Sequence, residues 1–567
     1  MIGLNKIGLN QVQLNRLRLN APFPAYGKMV GGGGSGDGFP QLPGDVTRWH
    51  FGGLTNEMMA AMDDPRIEDA DHKGRFLSFK NFAWGGMSGV GGYNQNFNTW
   101  VKSASRIDAT VIGSSVFKIN AIRQSRIIQL YYQSEGSQQP FTIPAFVIKV
   151  SGLIDNQKLR YQHYKDGVTA YFEINVDGIY NLPSFDFLAG GSVYGFIFDK
   201  IQESCDITIE ILPLYPGALV FDGVDDYGTC DNFPILTKEK GYTVVALRQY
   251  LVEKSTAYLT ANGDSISNTS FIFEGNNYKD TWNFGRATTI QASRILATQT
   301  SKQYDGVKLN IGSNTEGSNL LQVGKWSKSY SNVAIWELVY LDHDATEEEL
   351  TKIKDYFVKT YPWLFPDQAW TVTGKTNEDG DRATIANITG NGNDLVLSNF
   401  GFAEGSGYNE EGEYAGYLVT DGVDDKVVSA ESIAFTDTWT IITDAIFLGE
   451  KVVSAGILVK DIFGVSNLME YGRVEVSVKG GVLLKVPTPS IKAICSDGRI
   501  YDADWNEYQA EPGTIKVSEG TLIIGMWYNG IQFCSIAFKN LGIYNNQLLS
   551  KDDCIKSYNY LQTLKAK

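Results

Sequence analysis

Apolar and polar residues alternate through most of this chain with the two-residue period of β-strands, and the first twenty residues, MIGLNKIGLNQVQLNRLRLN, obey a stricter period of five. Ile2, Ile7, Val12 and Leu17 hold the second place of each pentad, Leu4, Leu9, Leu14 and Leu19 the fourth, and Asn5, Asn10, Asn15 and Asn20 the fifth. Second and fourth places share one side of a strand, and Asn suits a turn, so each pentad reads as one side of a β-solenoid or one rung of an extended arm. Four pentads make a single coil, which cannot bury its own aliphatic stripe. Residues 1–20 are therefore expected to dock on a partner surface, by strand addition or by stacking with copies of themselves. The alternative is an amphipathic or disordered leader without a role. Residues 21–45, with Pro22, Pro24, Pro40, Pro43 and the run Gly31–Gly38, have linker composition.

The body repeats itself. FDGVDDYG at Phe221–Gly228 returns as TDGVDDKV at Thr420–Val427, and GYTVVA at Gly241–Ala246 as TWTIIT at Thr438–Thr443. LSFKNFAWGGMSG at Leu77–Gly89 returns as LVLSNFGFAEGSG at Leu395–Gly407. Each copy closes with an alternating strand that gives way to a capped helix: Thr346 has Glu349 three residues on, and Ser550 has Asp553. Leu350, Ile353, Tyr356 and Phe357 then recur at helical spacing. The first copy is interrupted at 94–216 by a strand-rich insertion, in which Lys165-Asp166-Gly167 between two alternating runs predicts a hairpin. The expected organisation is a docking segment (1–20), a linker (21–45), an N-terminal β-region (46–93), an inserted β-sandwich (94–216), a first repeat domain (217–365), a connector (366–411) and a second repeat domain (412–567).

The DGVDDY turn followed by strands and a short capped helix resembles laminin-G-like, concanavalin A-like lectin domains. The resemblance implies a mainly β, multidomain fold of tandem jelly-roll sandwiches. The second copy departs from the first at Thr420 and Lys426, where the first has Phe221 and Tyr227. LPLYPGALVFDGVDDYG at Leu212–Gly228, the repeated NF…SG marker and the short leading repeat also resemble virion appendage proteins of Bacteroides-infecting, crAss-like bacteriophages. That resemblance implies a fibre or tail protein in the virion, assembled in the host cytoplasm. It further implies anchoring to other virion proteins through residues 1–20, adhesion to host-surface glycans, and a homo-oligomer such as a trimer.

Composition narrows the alternatives. Aromatics at 12%, 59 Gly and charged residues at only 20% fit sandwiches better than helices. A net charge of −15 repels phosphate, so nucleic acid is not an expected partner. No apolar run approaches the roughly 20 residues that span a bilayer, and no continuous apolar leader segment is present. Cys205, Cys230, Cys495, Cys534 and Cys554 are odd in number and share no CxxC spacing, which fits buried thiols better than a disulfide framework or zinc.

The four His lack a GxSxG, HExxH or Walker context, and no catalytic residue is assigned: the expectation is a protein that is not an enzyme. Glycan contact falls to exposed aromatics of the insertion, Tyr131, Tyr132, Tyr161, Tyr164 and Tyr171, each of which could equally be a half-buried sheet residue. Asp222, Asp225 and Asp226, with Asp421, Asp424 and Asp425, are oxygen-rich enough to consider for Ca²⁺. A turn whose carboxylates accept backbone N–H groups explains them without metal, and no cofactor is expected. The alternatives to a glycan-binding virion protein are a polysaccharide depolymerase or glycosidase with lectin modules, and a purely architectural capsid or collar component.

Overall fold

The protein is mainly β, a multidomain chain of antiparallel β-sandwiches. The computed structural model describes residues 38–566 other than 103–105, 124–127, 133–140, 155–157, 166–167, 183, 188–194, 199–200, 238, 252–257, 264–270, 276–294, 302–317, 413, 449–452, 469–472, 515–518 and 527–531. The pentad positions Ile2 through Leu19 lie outside the described residues. Residues 46–90 and 217–357 belong to one compact unit, and 91–216 with 358–567 to a second.

In the first unit the ten-residue strand Asn332–Leu341 is the spine. Thr243–Tyr250 runs antiparallel along one edge of it; Leu219–Asp222 and Val46–His50 share the other edge end to end. The N-terminal β-region at 46–93 thus supplies strands to the sandwich of the first repeat. Its register with the spine, Val46↔Leu341 through His50↔Glu337, joins parts of the chain that no local pattern connects. The facing six-stranded sheet is ordered Arg66–Glu68, Phe76–Lys80, Tyr227–Cys230, Leu321–Val323, Tyr258–Asn262, Phe271–Gly275.

The spine is buried on both sides, and a β-bulge sets which residues face the core. Its register with Thr243–Tyr250 shifts between Leu247 and Arg248. Val333 and Ile335 point into the core before the shift, and Leu338 and Tyr340 after it, so the alternation skips one residue. Glu337 is thereby turned to the outer side, where Arg48 Nη1 meets its Oε1 at 2.8 Å.

The last 200 or so residues repeat this plan. Their spine is Ile536–Asn545, with Trp439–Phe447 on one edge and Tyr417–Val419 and Gln368–Thr371 on the other. A register shift between Asp444 and Ala445 again makes the alternation jump, from Ile536 and Phe538 to Leu541 and Ile543. The stretch 366–411, read from sequence as a connector, provides edge strands of this sandwich. Both helices are capped as the sequence predicts. Glu349 N–H donates to Thr346 Oγ1 at 3.3 Å while Thr346 N–H donates to Glu349 Oε2 at 2.8 Å, and Asp553 N–H donates to Ser550 Oγ at 3.1 Å.

Within residues 91–216, two five-stranded sheets enclose a core that includes Trp100, Phe117, Phe146, Tyr161, Phe196 and Ile209. The predicted hairpin pairs Leu159–Lys165 with Val168–Ile174, closing at Lys165↔Val168.

Candidate functional site

The hairpin Leu159–Lys165/Val168–Ile174 lies at the edge of its sheet, and its pleat sorts residues to two sides. Leu159, Tyr161 and Ile174 point inward and are buried. Arg160, Gln162, Tyr171 and Glu173 point outward, with Gln162 opposite Tyr171 and Arg160 opposite Glu173. Tyr171 is 49% exposed, and the Arg160 guanidinium lies 5.2 Å from its ring centroid. Lys158 Nζ reaches Glu173 at 3.3 Å. An open aromatic ring beside a guanidinium, an amide and a carboxylate can stack on a sugar's C–H face while bonding its hydroxyls.

Tyr161 is not part of this surface. It is fully buried, edge-on to Phe146 at 5.9 Å and tilted against Phe196 at 5.5 Å, and burial pushes its phenol well above the usual range. Its place in the strand, one residue from outward Arg160 and Gln162, decides this. Tyr131 and Tyr132 sit in the strand Ile128–Tyr132 opposite Val101 and Trp100, and Tyr164 lies opposite Thr169; the side chains of these three lie outside the described residues. Arg160, Gln162 and Glu173 were not singled out from sequence. The signal that finds them is the hairpin register itself, since the pairing of Lys165 with Val168 fixes which residues stand beside Tyr171.

The acidic turns have a built role. Asp222 Oδ1 accepts the N–H groups of Val224 and Asp225 at 2.7 and 3.4 Å, and Asp226 Oδ2 accepts that of Asp222 at 3.0 Å. Asp421 accepts from Val423 and Asp424 at 2.7 and 3.3 Å, and Asp425 from Asp421 at 2.9 Å. Within each trio one carboxylate oxygen per residue lies within 4.8 Å of the others. Asp222 with Asp226, and Asp421 with Asp425, close these turns by accepting backbone N–H groups, and each trio offers three of the six to eight oxygens that Ca²⁺ requires.

Each turn is latched by its NF…SG marker. Asn81 Nδ2 donates to Asp225 O at 3.0 Å and Asn399 Nδ2 to Asp424 O at 2.9 Å. Ser88 Oγ accepts Ala83 N–H at 2.8 Å, and Ser406 Oγ accepts Gly401 N–H at 2.8 Å. Of the two aromatics that distinguish the first copy, Phe221 is a core residue, stacked edge-on to Phe82 at 5.0 Å, and only Tyr227 faces outward.

No family model matches the chain, and neither does any curated protein. Among solved structures it is similar to the Trypanosoma rangeli sialidase in complex with sialic acid, at 10% identity over 91% of this chain and 98% of that one, with a TM-score of 0.25. A mutant of the same sialidase displaying trans-sialidase activity gives 9% identity, 87% and 93% coverage and a TM-score of 0.26. A beta-porphyranase of glycoside hydrolase family 86 from the human gut bacterium Bacteroides plebeius gives 10% identity, 42% and 37% coverage and a TM-score of 0.11. These proteins are enzymes by name, and the expectation that the chain is not an enzyme is corrected accordingly. Scores this low assign it neither a reaction nor a catalytic residue.

Proposed function

We propose that the chain engages carbohydrate, with its lectin-like sandwiches as scaffold and the outward face around Tyr171 as a contact surface. The observation that carries this reading is the grouping of exposed Tyr171 with Arg160, Gln162 and Glu173 on one edge of a sheet. In its finer form the reading sets the chain on a phage particle, held through residues 1–20, where copy number multiplies weak single-site binding. What supports that form is the sequence resemblance carried by Leu212–Gly228 and the leading pentads.

The test is a glycan array probed with the full chain, with reducing ends measured in the same wells. Binding to a subset of glycans, lost in Tyr171→Ala, is the expected result; new reducing ends would show that the bound glycan is also cleaved. An array silent to the folded chain would overturn the proposal.

A further inference from the structure

The two repeat sandwiches share a scaffold and differ on one face. On the outward side of the six-stranded sheet of the first unit, Tyr227 stands opposite Lys80. The hairpin Lys325–Trp326/Ser329–Tyr330 places Lys325 opposite Tyr330. The Tyr227 and Tyr330 rings are 6.2 Å apart at an interplanar angle of 53°, and Lys325 Nζ lies 4.0 and 5.1 Å from their centroids. All three residues are half-buried.

Lys325 makes no ion pair among the described residues, although the chain holds 64 acidic residues against 49 basic ones. Its neighbour Lys80, by contrast, is held by Asp64 at 3.0 Å. In the second copy, Ser398↔Lys426 takes the register of Lys80↔Tyr227, so the ring is gone while the DGVDD turn is kept. The turn therefore does not require the ring.

We propose that Tyr227, Tyr330 and Lys325 form a binding surface for an anionic glycan, a saccharide bearing carboxylate or sulfate groups. This rests on the carbohydrate reading above and names a ligand class for a second site. Two tilted rings offer faces for sugar C–H groups, and an ammonium with three donors and no acid of its own offers the charge for an acidic substituent. A lysine resting on a tyrosine face is weakly held, whereas a charge-assisted bond to an anion is roughly twice as strong as a neutral one. The ammonium can therefore leave the rings for the ligand, and the rings are then free to stack.

The experiment measures binding of the full chain to alginate oligomers, to neutral dextran oligomers of matched length, and to polyglutamate. Alginate binds and polyglutamate does not. Lys325→Gln and Tyr227→Ala each weaken alginate binding about tenfold, while Lys325→Arg and Tyr227→Phe retain it. Thermal unfolding identifies any variant that fails to fold, and Lys325→Gln then decides alone. Alginate binding unchanged in Lys325→Gln overturns the inference, as does equal binding of polyglutamate. If neutral glycans bind through the Tyr171 face and alginate does not, this inference fails and the carbohydrate reading stands. If no glycan binds at all, both fall.

Discussion

Ser88 Oγ donates a hydrogen bond to Asp226 Oδ1 at 3.0 Å, across 138 positions of sequence. Asp226 is fully buried, and its other oxygen closes the DGVDD turn. A carboxylate inside the sandwich is thus held between a turn and a marker loop that the insertion drives far apart in the chain. The bond ties the NF…SG marker of the first copy to its DGVDD turn and satisfies a carboxylate oxygen that would otherwise be buried without a partner.

Asp226 makes stability depend on pH. Burial is the main cause of its shift and pushes its pKa up to about 7 from 3.8, against the hydrogen bonds from Asp222 and Ser88, which lower it. The folded state then binds the proton more tightly than the unfolded chain, so stability falls as pH rises from about 4 to about 7 and is flat with respect to this group above that. Scanning calorimetry across that window should show the melting temperature of the first sandwich dropping with pH. In Asp226→Asn the drop should be smaller, because Asn keeps the acceptor for Asp222 and carries no charge. A variant with an unchanged slope would mean the carboxylate is ionised in the fold throughout.

Two asparagines act as backbone clamps and should be costly to remove. Asn56 accepts Val90 N–H at 2.7 Å and donates to Val90 O at 3.1 Å; Asn377 does the same for Tyr408, at 2.8 Å each way. Gly89 and Gly407 pass directly beneath, at φ +143° and +155°, where an added Cβ would lie 2.4 and 2.5 Å from the asparagine Oδ1 atoms. Asn→Ala at either position strands a buried N–H and C=O together, a loss on the order of 1–3 kcal/mol for each group left unpaired. Denaturant unfolding should report that loss for both variants, and Gly89→Ala should be at least as damaging.

Much of this was legible in the sequence, and the reasons are local. The strand content, the helix caps at Thr346 and Ser550 and the hairpin after Lys165 each follow from neighbouring residues. The duplication follows from comparing the chain with itself. What was not legible is long-range. Val46–His50 pairs with Asn332–Leu341, a register across almost 300 residues that no local pattern announces. The orientation of Tyr161 against Tyr171 depends on the pleat, and a list of aromatics does not contain it. The clamp formed by Asn56 has no signature, because Asn beside a short helix is also a common capping or turn residue.

The second sandwich buries an ion pair between sheet strands. Asp444 Oδ1 is 3.0 Å from Lys492 Nζ, with side-chain exposures of 2% and 6%. Burial raises the carboxyl's pKa, but Lys492 and Lys539 outweigh it and hold the group below the ordinary carboxylate range. Lys492 also donates to Tyr558 Oη at 2.6 Å and Gln562 Nε2 to Asp444 Oδ2 at 2.8 Å, which ties the helix Lys551–Gln562 to the sheet. Lys492→Met removes the paired cation of buried Asp444 and should cost about 3–5 kcal/mol, while Lys492→Met with Asp444→Asn should recover part of it. Thermolysin cleavage of the C-terminal helix, followed by mass spectrometry, would read the effect. Equal susceptibility of the single variant and the native chain would show that the pair does not anchor the helix.

Residues 1–20 are proposed to associate with other chains through Ile2, Leu4, Ile7, Leu9, Val12, Leu14, Leu17 and Leu19. The chain truncated to 21–567 should unfold at the same temperature as the full chain and have a lower mass by light scattering. The same oligomeric mass in both would remove self-association as the role of the pentads.

Tyr161 and Tyr171 lie on strands of one hairpin and should respond to truncation in opposite ways. Tyr161 is packed between Phe146 and Phe196 with no exposure, so Tyr161→Ala opens a cavity and should cost about 3–5 kcal/mol. Tyr161→Phe keeps the ring and should retain most of the stability. Tyr171 is half in solvent, touching Arg160, so Tyr171→Ala should leave unfolding within about 0.5 kcal/mol of the native chain. The same substitution removes the only ring described on that outward strand face and should reduce glycan binding about tenfold. Unfolding and binding measured on all three variants separate the two roles. Glycan binding that tracks stability, lost in Tyr161→Ala and kept in Tyr171→Ala, would place the contact surface elsewhere on the sandwich.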